Sequence, residues 1–310
     1  MITAYYDPRF QAPLGHHIMP IQKFGLVAQA LSQDPDIQIL SPSPITEEDL
    51  LRIHDPAYVR AVRTGEPRAL AESQKFPWSP ELFASVLMTN GAVLAAARRA
   101  IQEGAAAALA SGFHHAGPMR GEGFCTFNGL ILALEILRSE HQIQRAAILD
   151  LDLHYGNGTA QFVETRNWIQ ALSIYGNDYW ENQAYRDVSV LQHRDGIHHQ
   201  SRALPAQCDG PTQLRILEES FDFLLKNGKP DLLLYQAGAD PFYQDPYSPL
   251  ALTHEDLLER DRVVFEFTRA HQIPVAWVLA GGYTPDLSQV VKVHTNTFLA
   301  WKKVYGSIAP

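Results

Sequence analysis

The chain has 310 residues, of which 46% are hydrophobic and 19% charged, and its formal net charge is −9 at pH 7. This composition provides enough apolar material for a large core, and the absence of a Lys- or Arg-rich run argues against direct nucleic-acid binding. Two cysteines are too few for a disulfide framework and predict a reducing, cytoplasmic location. The first residues lack the pattern of a signal peptide, and the alanine-rich low-charge stretch at residues 104–117 is too short to span a membrane.

Short apolar runs alternate with longer periodic segments along the chain. The apolar runs predict strands that are buried on both faces of a parallel sheet, at residues 105–111, 146–150, 169–174, 231–235 and 274–279. The periodic segments predict helices at residues 80–102, 127–138, 211–226 and 254–270. The polar and aromatic segment 176–204 predicts a long functional loop. This order indicates one doubly wound α/β domain over residues 1–310.

Four of the predicted strands run directly into polar clusters at their carboxyl ends, where open parallel sheets bind ligands. These clusters contain His114 and His115, then Asp150, Asp152 and His154, then Asp240, then Gly281, Gly282 and Tyr283. In the second cluster the polar residues alternate with leucines, so their side chains lie on one side of the strand end. Two acids at the end of a buried strand are costly unless they are paired or hold a metal. The sequence therefore predicts a metal site at this sheet edge, with a hydroxyl donor nearby.

The other histidines lack the spacing of metal ligands and are predicted to lie in polar surroundings. They include His141, His193, His198, His199, His271 and His294. Cys125 is predicted to be a small buried residue and not a nucleophile, because no base is assigned to it.

Several motifs occur in a specific order over nearly the whole chain. They include Gly112-Phe-His-His115, Gly121-Glu-Gly-Phe124-Cys-Thr-Phe-Asn128, Asp150-Leu-Asp-Leu-His154-Tyr-Gly-Asn157-Gly, Ala237-Gly-Ala-Asp240 and Gly281-Gly-Tyr283. With them the chain resembles the histone deacetylase superfamily of zinc-dependent acyl-amide hydrolases, and most of all its class IV branch and the bacterial relatives of that branch. The resemblance implies an arginase-like α/β fold, with a mostly parallel central sheet of about eight strands flanked by helices.

The resemblance also implies residue roles. The residues that match the zinc ligands are Asp152, His154 and Asp240, with iron(II) as the alternative native metal. The tandem histidines are His114, backed by the acid Asp150, and His115, where Asn157 stands in place of the acid found in class I members. Tyr283 matches the tyrosine that polarises the substrate carbonyl.

Two further sets of residues follow from the resemblance. Gly123 and Phe124 match residues that line the acyl-lysine channel, and we expect Trp180 to form another wall of it. Asp150 and Ser173 match a structural potassium site.

The activity implied is hydrolysis of an acyl-amide bond, with an N-ε-acyl-lysine peptide or a small acylated amine as substrate. We expect His115 to be the base and His114 to be its electrostatic partner. An acetylpolyamine amidohydrolase would share the whole catalytic set and is the nearest alternative. A dimanganese enzyme of the arginase type is less favoured, because the bridging acids for a second metal are missing. A catalytically inactive acyl-group binder is the alternative from another class, and the intact ligands and Tyr283 argue against it.

Overall fold

A computed structural model describes residues 1–188 and 195–306 of the chain. The strands are β1 (Ile2–Tyr5), β2 (Ile37–Leu40), β3 (Ala105–Ala108), β4 (Ala146–Asp150), β5 (Ile169–Tyr175), β6 (Asp178–Trp180), β7 (Gln183–Tyr185), β8 (His199–Ala203), β9 (Leu232–Ala237) and β10 (Val275–Leu279). Eight of them form one parallel sheet in the order β2-β1-β3-β10-β9-β4-β5-β8, and β6 pairs with β7 as an antiparallel hairpin. The predicted α/β fold with about eight sheet strands is confirmed.

Helices flank this sheet. They are α1 (Lys23–Leu31), α2 (Glu47–Leu50), α3 (Pro56–Thr64), α4 (Arg68–Ala71), α5 (Pro80–Glu103), α6 (Gly129–Ser139), α7 (Asn157–Val163), α8 (Gly210–Leu224), α9 (His254–Ala270) and α10 (Leu287–Tyr305), with a short 3-10 turn at Pro8–Phe10. Helix α5 packs on β1, β3 and β10 and against α6. Helix α9 packs against α8 and α10, and α10 also contacts α1. The sheet core therefore lies between layers of helices.

The long helix α5 has clear start and stop signals. Ser79 caps its first turn by accepting a hydrogen bond from the backbone N–H of Leu82, Pro80 occupies the first turn, and Gly104 follows the last residue with a positive φ. By length and composition α5 could cross a membrane, but 67% of its most apolar window is buried inside the fold. It has the burial of a central core helix.

The predicted strands are all present, but the sheet contains three more. β1, β2 and β8 are short, and β2 and β8 are the edge strands. An edge strand is partly solvated and needs no continuous apolar run, so β8, with the sequence His-Gln-Ser-Arg-Ala, has no strand signal in its composition. The segment 176–204 is therefore not one loop, since it contains the β6–β7 hairpin and β8.

Two histidines that we expected in polar surroundings are buried. His294 lies four residues after Val290 on the inner face of α10, where this helix packs on α1 and α9, and His199 is buried in β8. His193 lies outside the described residues.

The strand order brings the functional segments together. β3, β10, β9 and β4 are consecutive neighbours in the sheet, although they are far apart in sequence. All four are parallel, so their carboxyl ends meet at the same edge. The segments that start at residues 109, 280, 238 and 151 consequently leave this edge side by side.

Candidate active site

Three side chains at this sheet edge form a cluster with the composition of a metal site. Asp152, His154 and Asp240 are buried, and each places a ligand atom within 4.8 Å of the others. The Nδ1 atom of His154 lies 3.3 Å from Asp152 Oδ1 and 3.1 Å from Asp240 Oδ2. Within residues 1–188 and 195–306 this is the one group of three or more acidic, His or Cys side chains with such spacing. Two carboxylates and an imidazole are a donor set that suits Zn²⁺ or Fe²⁺.

Backbone groups hold the two carboxylates in place. The N–H of Gly281 donates to Asp152 Oδ2 at 2.7 Å, and the N–H of Leu153 donates to Asp240 Oδ1 at 3.0 Å. A Cβ atom at Gly281 would lie only 1.8 Å from Asp240 Oδ2, so this position has no room for a side chain. Backbone groups that follow β10 and β4 thus fix the carboxylates that follow β4 and β9.

The pKa shifts of the cluster fit a site for a cation. Burial lowers the pKa of His154, but hydrogen bonds and attraction from Asp152 and Asp240 outweigh burial and raise it to about 10. Burial and the charge of Asp152 raise the pKa of Asp240. A buried cluster with two acids is stable only when positive charge compensates it, and a divalent ion provides that charge more fully than a proton on His154.

His114 is paired with an acid. Its Nδ1 lies 2.7 Å from Asp150 Oδ2, and its Nε2 lies 3.7 Å from Asp152 Oδ1. Burial lowers the pKa of His114, but the carboxylates of Asp150 and Asp152 outweigh burial, so that the pKa is raised. These two carboxylates therefore favour the charged form of His114.

His115 is paired with an amide. Its Nδ1 lies 2.6 Å from Asn157 Oδ1, and the ring of Tyr179 stacks on it with a centroid distance of 3.9 Å. Burial, followed by repulsion from His114 and His154, holds the pKa of His115 well below its ordinary value. His115 is therefore neutral at physiological pH and can accept a proton.

Tyr283 stands beside the cluster on the turn that follows β10. Its ring centroid lies 6.3 Å from that of His154, and its backbone N–H donates to Asp245 Oδ2 at 2.7 Å. Burial, with the nearby charges of Asp240 and Asp152, raises the pKa of Tyr283 well above its ordinary value, so the phenol keeps its proton. The Nζ of Lys23, which donates to the carbonyl of Ala280 at 2.7 Å, lies 5.4 Å from the same ring.

Gly123 and Phe124 lie at the opening of the site. Gly123 has φ +52°, and a Cβ there would lie 2.3 Å from His115 Cδ2, so the backbone passes directly over the imidazole. Phe124 stacks on Phe76 with a centroid distance of 5.7 Å. Both residues line an outer cavity of about 120 Å³ that leads to Tyr283.

The aromatic wall contributed by the β6–β7 hairpin is Tyr179 and not Trp180. Tyr179 faces this outer cavity and stacks on His115, whereas Trp180 is outside the lining and 37% exposed. Successive residues of a strand point to opposite faces, so only one of the two can face the site. Our expectation for Trp180 was wrong by one residue.

A second, inner cavity of about 50 Å³ lies behind the histidines. It shares His114, His115 and Tyr283 with the site and continues into the apolar core. Its apolar lining includes Phe10, Met19, Phe24, Phe76, Leu82 and Val86. The cluster therefore lies between an aromatic entrance and an apolar interior.

Asp150 and Ser173 are register partners on β4 and β5, and the backbone N–H of Gly156 lies 3.5 Å from Ser173 Oγ. The potassium site implied by the resemblance stays a prediction.

Several residues in the site had no role in the sequence reasoning: Lys23, Glu122, Tyr179, Asn182, Asp245 and Tyr247. Glu122 belongs to the motif that precedes Phe124, where an acid between two glycines was the available signal. Tyr179 is adjacent in sequence to Trp180, which we expected to form a wall of the channel. Lys23 interrupts an otherwise apolar face of α1 and is fully buried. Only the folded structure shows that this buried side chain lies beside the site.

Comparisons with known proteins agree with this geometry. The sequence model of the histone deacetylase domain matches residues 17–298. An uncharacterised protein of Picosynechococcus sp. is 31% identical over 305 residues, which cover 97% of this chain and 98% of the relative. Histone deacetylase 2 of Arabidopsis thaliana is 26% identical over 302 residues, which cover 93% of this chain and 75% of that relative. The fold matches the crystal structure of an acetylpolyamine aminohydrolase from Burkholderia pseudomallei with a TM-score of 0.77 at 18% identity, over 98% of this chain and 99% of that chain. The chain therefore belongs to the histone deacetylase family and is a hydrolase of that family.

Proposed function

We propose that this protein is a metal-dependent amidohydrolase that cleaves N-ε-acyl-lysine or a similar linear acylated amine, releasing the free amine and a carboxylate. The observation that supports this most strongly is the placement of a neutral imidazole, His115, and a protonated phenol, Tyr283, around the Asp152–His154–Asp240 cluster. A base and a hydrogen-bond donor that face one metal site are the groups needed to add water to an amide carbonyl.

The metal and the side chains have separate tasks. A zinc or iron(II) ion held by Asp152, His154 and Asp240 would polarise the amide carbonyl and lower the pKa of water toward about 7. His115 accepts the proton of the attacking water and then delivers it to the nitrogen of the leaving amine. His114, whose pKa is raised by Asp150 and Asp152, is the group suited to stabilise negative charge that develops in the site.

Tyr283 donates its phenolic hydrogen to the carbonyl oxygen as that oxygen becomes negative. The raised pKa of Tyr283 keeps this hydrogen in place. The hydrogen bond from its backbone to Asp245 and the freedom of Gly282, with φ +143°, hold the turn that presents the ring. One donor of this kind contributes roughly 3 kcal/mol to transition-state stabilisation.

The two cavities support a linear substrate with an apolar acyl end. The outer cavity, with Phe124, Tyr179 and Tyr247, offers aromatic faces to an alkyl stem such as that of lysine. The inner cavity behind His114 and His115 is lined largely by core side chains and offers apolar surroundings to the acyl end. We therefore propose both acetyl and longer acyl groups as substrates.

An acetylpolyamine is the second candidate substrate, because one structural neighbour is an acetylpolyamine aminohydrolase. A polyamine carries additional cationic nitrogens that would favour carboxylates at the entrance. The described residues that line the outer cavity include no Asp or Glu. This lining favours acyl-lysine.

We also propose a cytoplasmic location, supported by the two buried free cysteines, Cys125 and Cys208. Burial raises the pKa of the Cys125 thiol, which supports its interpretation as an inert core residue.

The test is a substrate panel with zinc-loaded protein. Peptides that carry acetyl- to myristoyl-lysine are compared with acetylated polyamines, and Asp240→Ala is the matched control. Turnover of acyl-lysine peptides above that of acetylpolyamines supports the proposal, and the reverse order assigns the polyamine activity. Binding of acyl peptides without turnover of any substrate would show an acyl-group binder and contradict hydrolysis.

A further inference from the structure

Behind His115 lies a chain of hydrogen bonds that ends in a buried acid. Asn157 Oδ1 is 2.6 Å from His115 Nδ1, and Asn157 Nδ2 donates to Glu122 Oε2 at 3.0 Å. Glu122 is only 7% exposed. Class I members have an acid next to the second histidine. Here Asn157 occupies that place, and the acid Glu122 follows behind it as the next group in the hydrogen-bond chain.

The position of Glu122 determines which way the Asn157 amide faces. An ionised carboxylate can only accept hydrogen bonds, so the amide must turn its NH₂ group toward Glu122. Its carbonyl oxygen then faces His115. An oxygen at that place can only accept, and the hydrogen between the two groups must therefore be carried by Nδ1 of His115.

A proton on Nδ1 leaves Nε2 of a neutral imidazole with its lone pair free, which is the form that a general base requires. We propose that Glu122 is a positioning residue that sets the tautomer of His115 through the orientation of the Asn157 amide. This inference rests on the proposed function only in assigning His115 as the base. Glu122 itself does not touch the reacting atoms.

The second oxygen of Glu122 has its own partner. Asn182, in the turn of the β6–β7 hairpin, donates its backbone N–H to Glu122 Oε1 at 2.5 Å. Its side-chain Oδ1 accepts from the backbone N–H of Gly123 at 2.9 Å. The two turns therefore hold each other, and the Asn182 N–H requires an acceptor at the Oε1 position.

This requirement makes the isosteric variant Glu122→Gln informative. The Gln carbonyl must face the Asn182 N–H, which leaves its NH₂ group facing Asn157. Asn157 then has to turn its carbonyl toward position 122 and its NH₂ toward His115. The imidazole must accept at Nδ1, and its proton moves to Nε2, where it prevents the ring from acting as a base. We expect kcat to fall by roughly 10²–10⁴-fold, the range for losing a correctly protonated general base.

Asn157→Asp has a different effect. An Asp at position 157 accepts from His115, but its other oxygen faces Glu122, and two carboxylates without a donor between them repel each other. This variant is therefore impaired as well. The double variant Glu122→Gln with Asn157→Asp pairs a donor with an acceptor at every contact, and we expect it to recover activity to within about tenfold of the original chain.

Two measurements on zinc-loaded protein test the inference. Nitrogen-15 NMR of the histidine rings, with the His115 signal identified by its loss in His115→Ala, reports the tautomer without any substrate. We expect Nδ1–H in the original chain and in the double variant, and Nε2–H in Glu122→Gln. Kinetics on the best substrate of the panel should show the loss in kcat and not in KM, with restoration in the double variant.

Glu135→Gln is the matched control, because it removes a partly buried carboxylate that contacts Arg166 outside the site. It should leave the His115 tautomer and kcat unchanged. The inference is overturned by Nε2–H in the original chain, by Nδ1–H in Glu122→Gln, or by a double variant as impaired as Glu122→Gln. Absence of turnover in the original chain would reject the proposed function, while the NMR result would still decide the role of Glu122.

Discussion

The two walls of the site are built in different ways. The ligand wall consists of Asp150, Asp152, His154 and Asp240, which leave adjacent strands of the sheet. The loop wall consists of Glu122 and Gly123 from one turn and Tyr179 and Asn182 from the β6–β7 hairpin. Hydrogen bonds between Asn182 and the first turn hold the two segments together. The first wall contains the charged groups that suit a metal, and the second covers His115 with an aromatic ring and a backbone segment.

The tandem histidines show what this difference does. His114 faces the ligand wall, where Asp150 favours its charged form. His115 faces the loop wall beneath Tyr179, and burial with repulsion from His114 and His154 favours its neutral form. The surroundings of these two identical side chains, adjacent in sequence, thus shift their pKa values in opposite directions. Changes to the ligand wall should therefore affect the metal, and changes around His115 should affect proton transfer.

The largest effect is expected in the ligand wall. Asp240→Ala removes one of the three proposed ligands and should reduce both bound metal and turnover to background, because two remaining ligands hold a transition metal weakly. Elemental analysis and steady-state kinetics on the same preparation test this. Metal content equal to that of the original chain would contradict the ligand assignment.

The histidines come next. His115→Ala should lower kcat by roughly 10²–10⁴-fold with unchanged metal content, because it removes the proposed base and none of the proposed ligands. His114→Ala should be less damaging at the pH optimum. A greater loss for His114→Ala would reverse the two roles.

Tyr283→Phe removes a single hydroxyl at the junction of the two walls. We expect kcat to fall by about 10²–10³-fold with KM nearly unchanged, the scale for losing one oxyanion donor. Measurement of both constants with the best peptide substrate tests this. A normal kcat would mean that the phenol has a structural role.

Metal binding should depend on pH. In the metal-free protein the pKa of His154 is raised to about 10, so below that pH the ring holds a proton that the metal must displace. Apparent affinity should therefore rise about tenfold per pH unit between pH 7 and pH 9. Chelator competition at several pH values measures this slope, and a flat profile would show that His154 is neutral without metal.

The smallest effect concerns the β6–β7 hairpin. Tyr179→Leu removes the ring stacked on His115 and should lower kcat/KM by about three- to tenfold, since such contacts are worth roughly 0.5–1.5 kcal/mol. Trp180→Leu is the matched control and should leave kcat/KM unchanged, because Trp180 faces away from the cavity. Equal losses in the two variants would mean that the hairpin acts only through its backbone.

The ligand wall could be predicted from the sequence because its pattern is local. An apolar run that ends in alternating acids and a histidine already indicates a buried strand, its exposed end and the side on which Asp150, Asp152 and His154 lie. The fold class follows from the same runs. The edge strand β8 has no such pattern, because its position in the sheet and not its composition makes it a strand.

The loop wall was decided only by the tertiary structure. Glu122 is hydrogen-bonded to Asn157, 35 residues away in sequence, and to Asn182, 60 residues away. No local sequence pattern around these three residues predicts the contacts. The choice of Tyr179 over Trp180 likewise depends on which face of a short strand turns toward His115. Sequence periodicity determines which side chains share a face of an element. The donors and acceptors that we propose to set the tautomer of His115 are brought together only by distant turns.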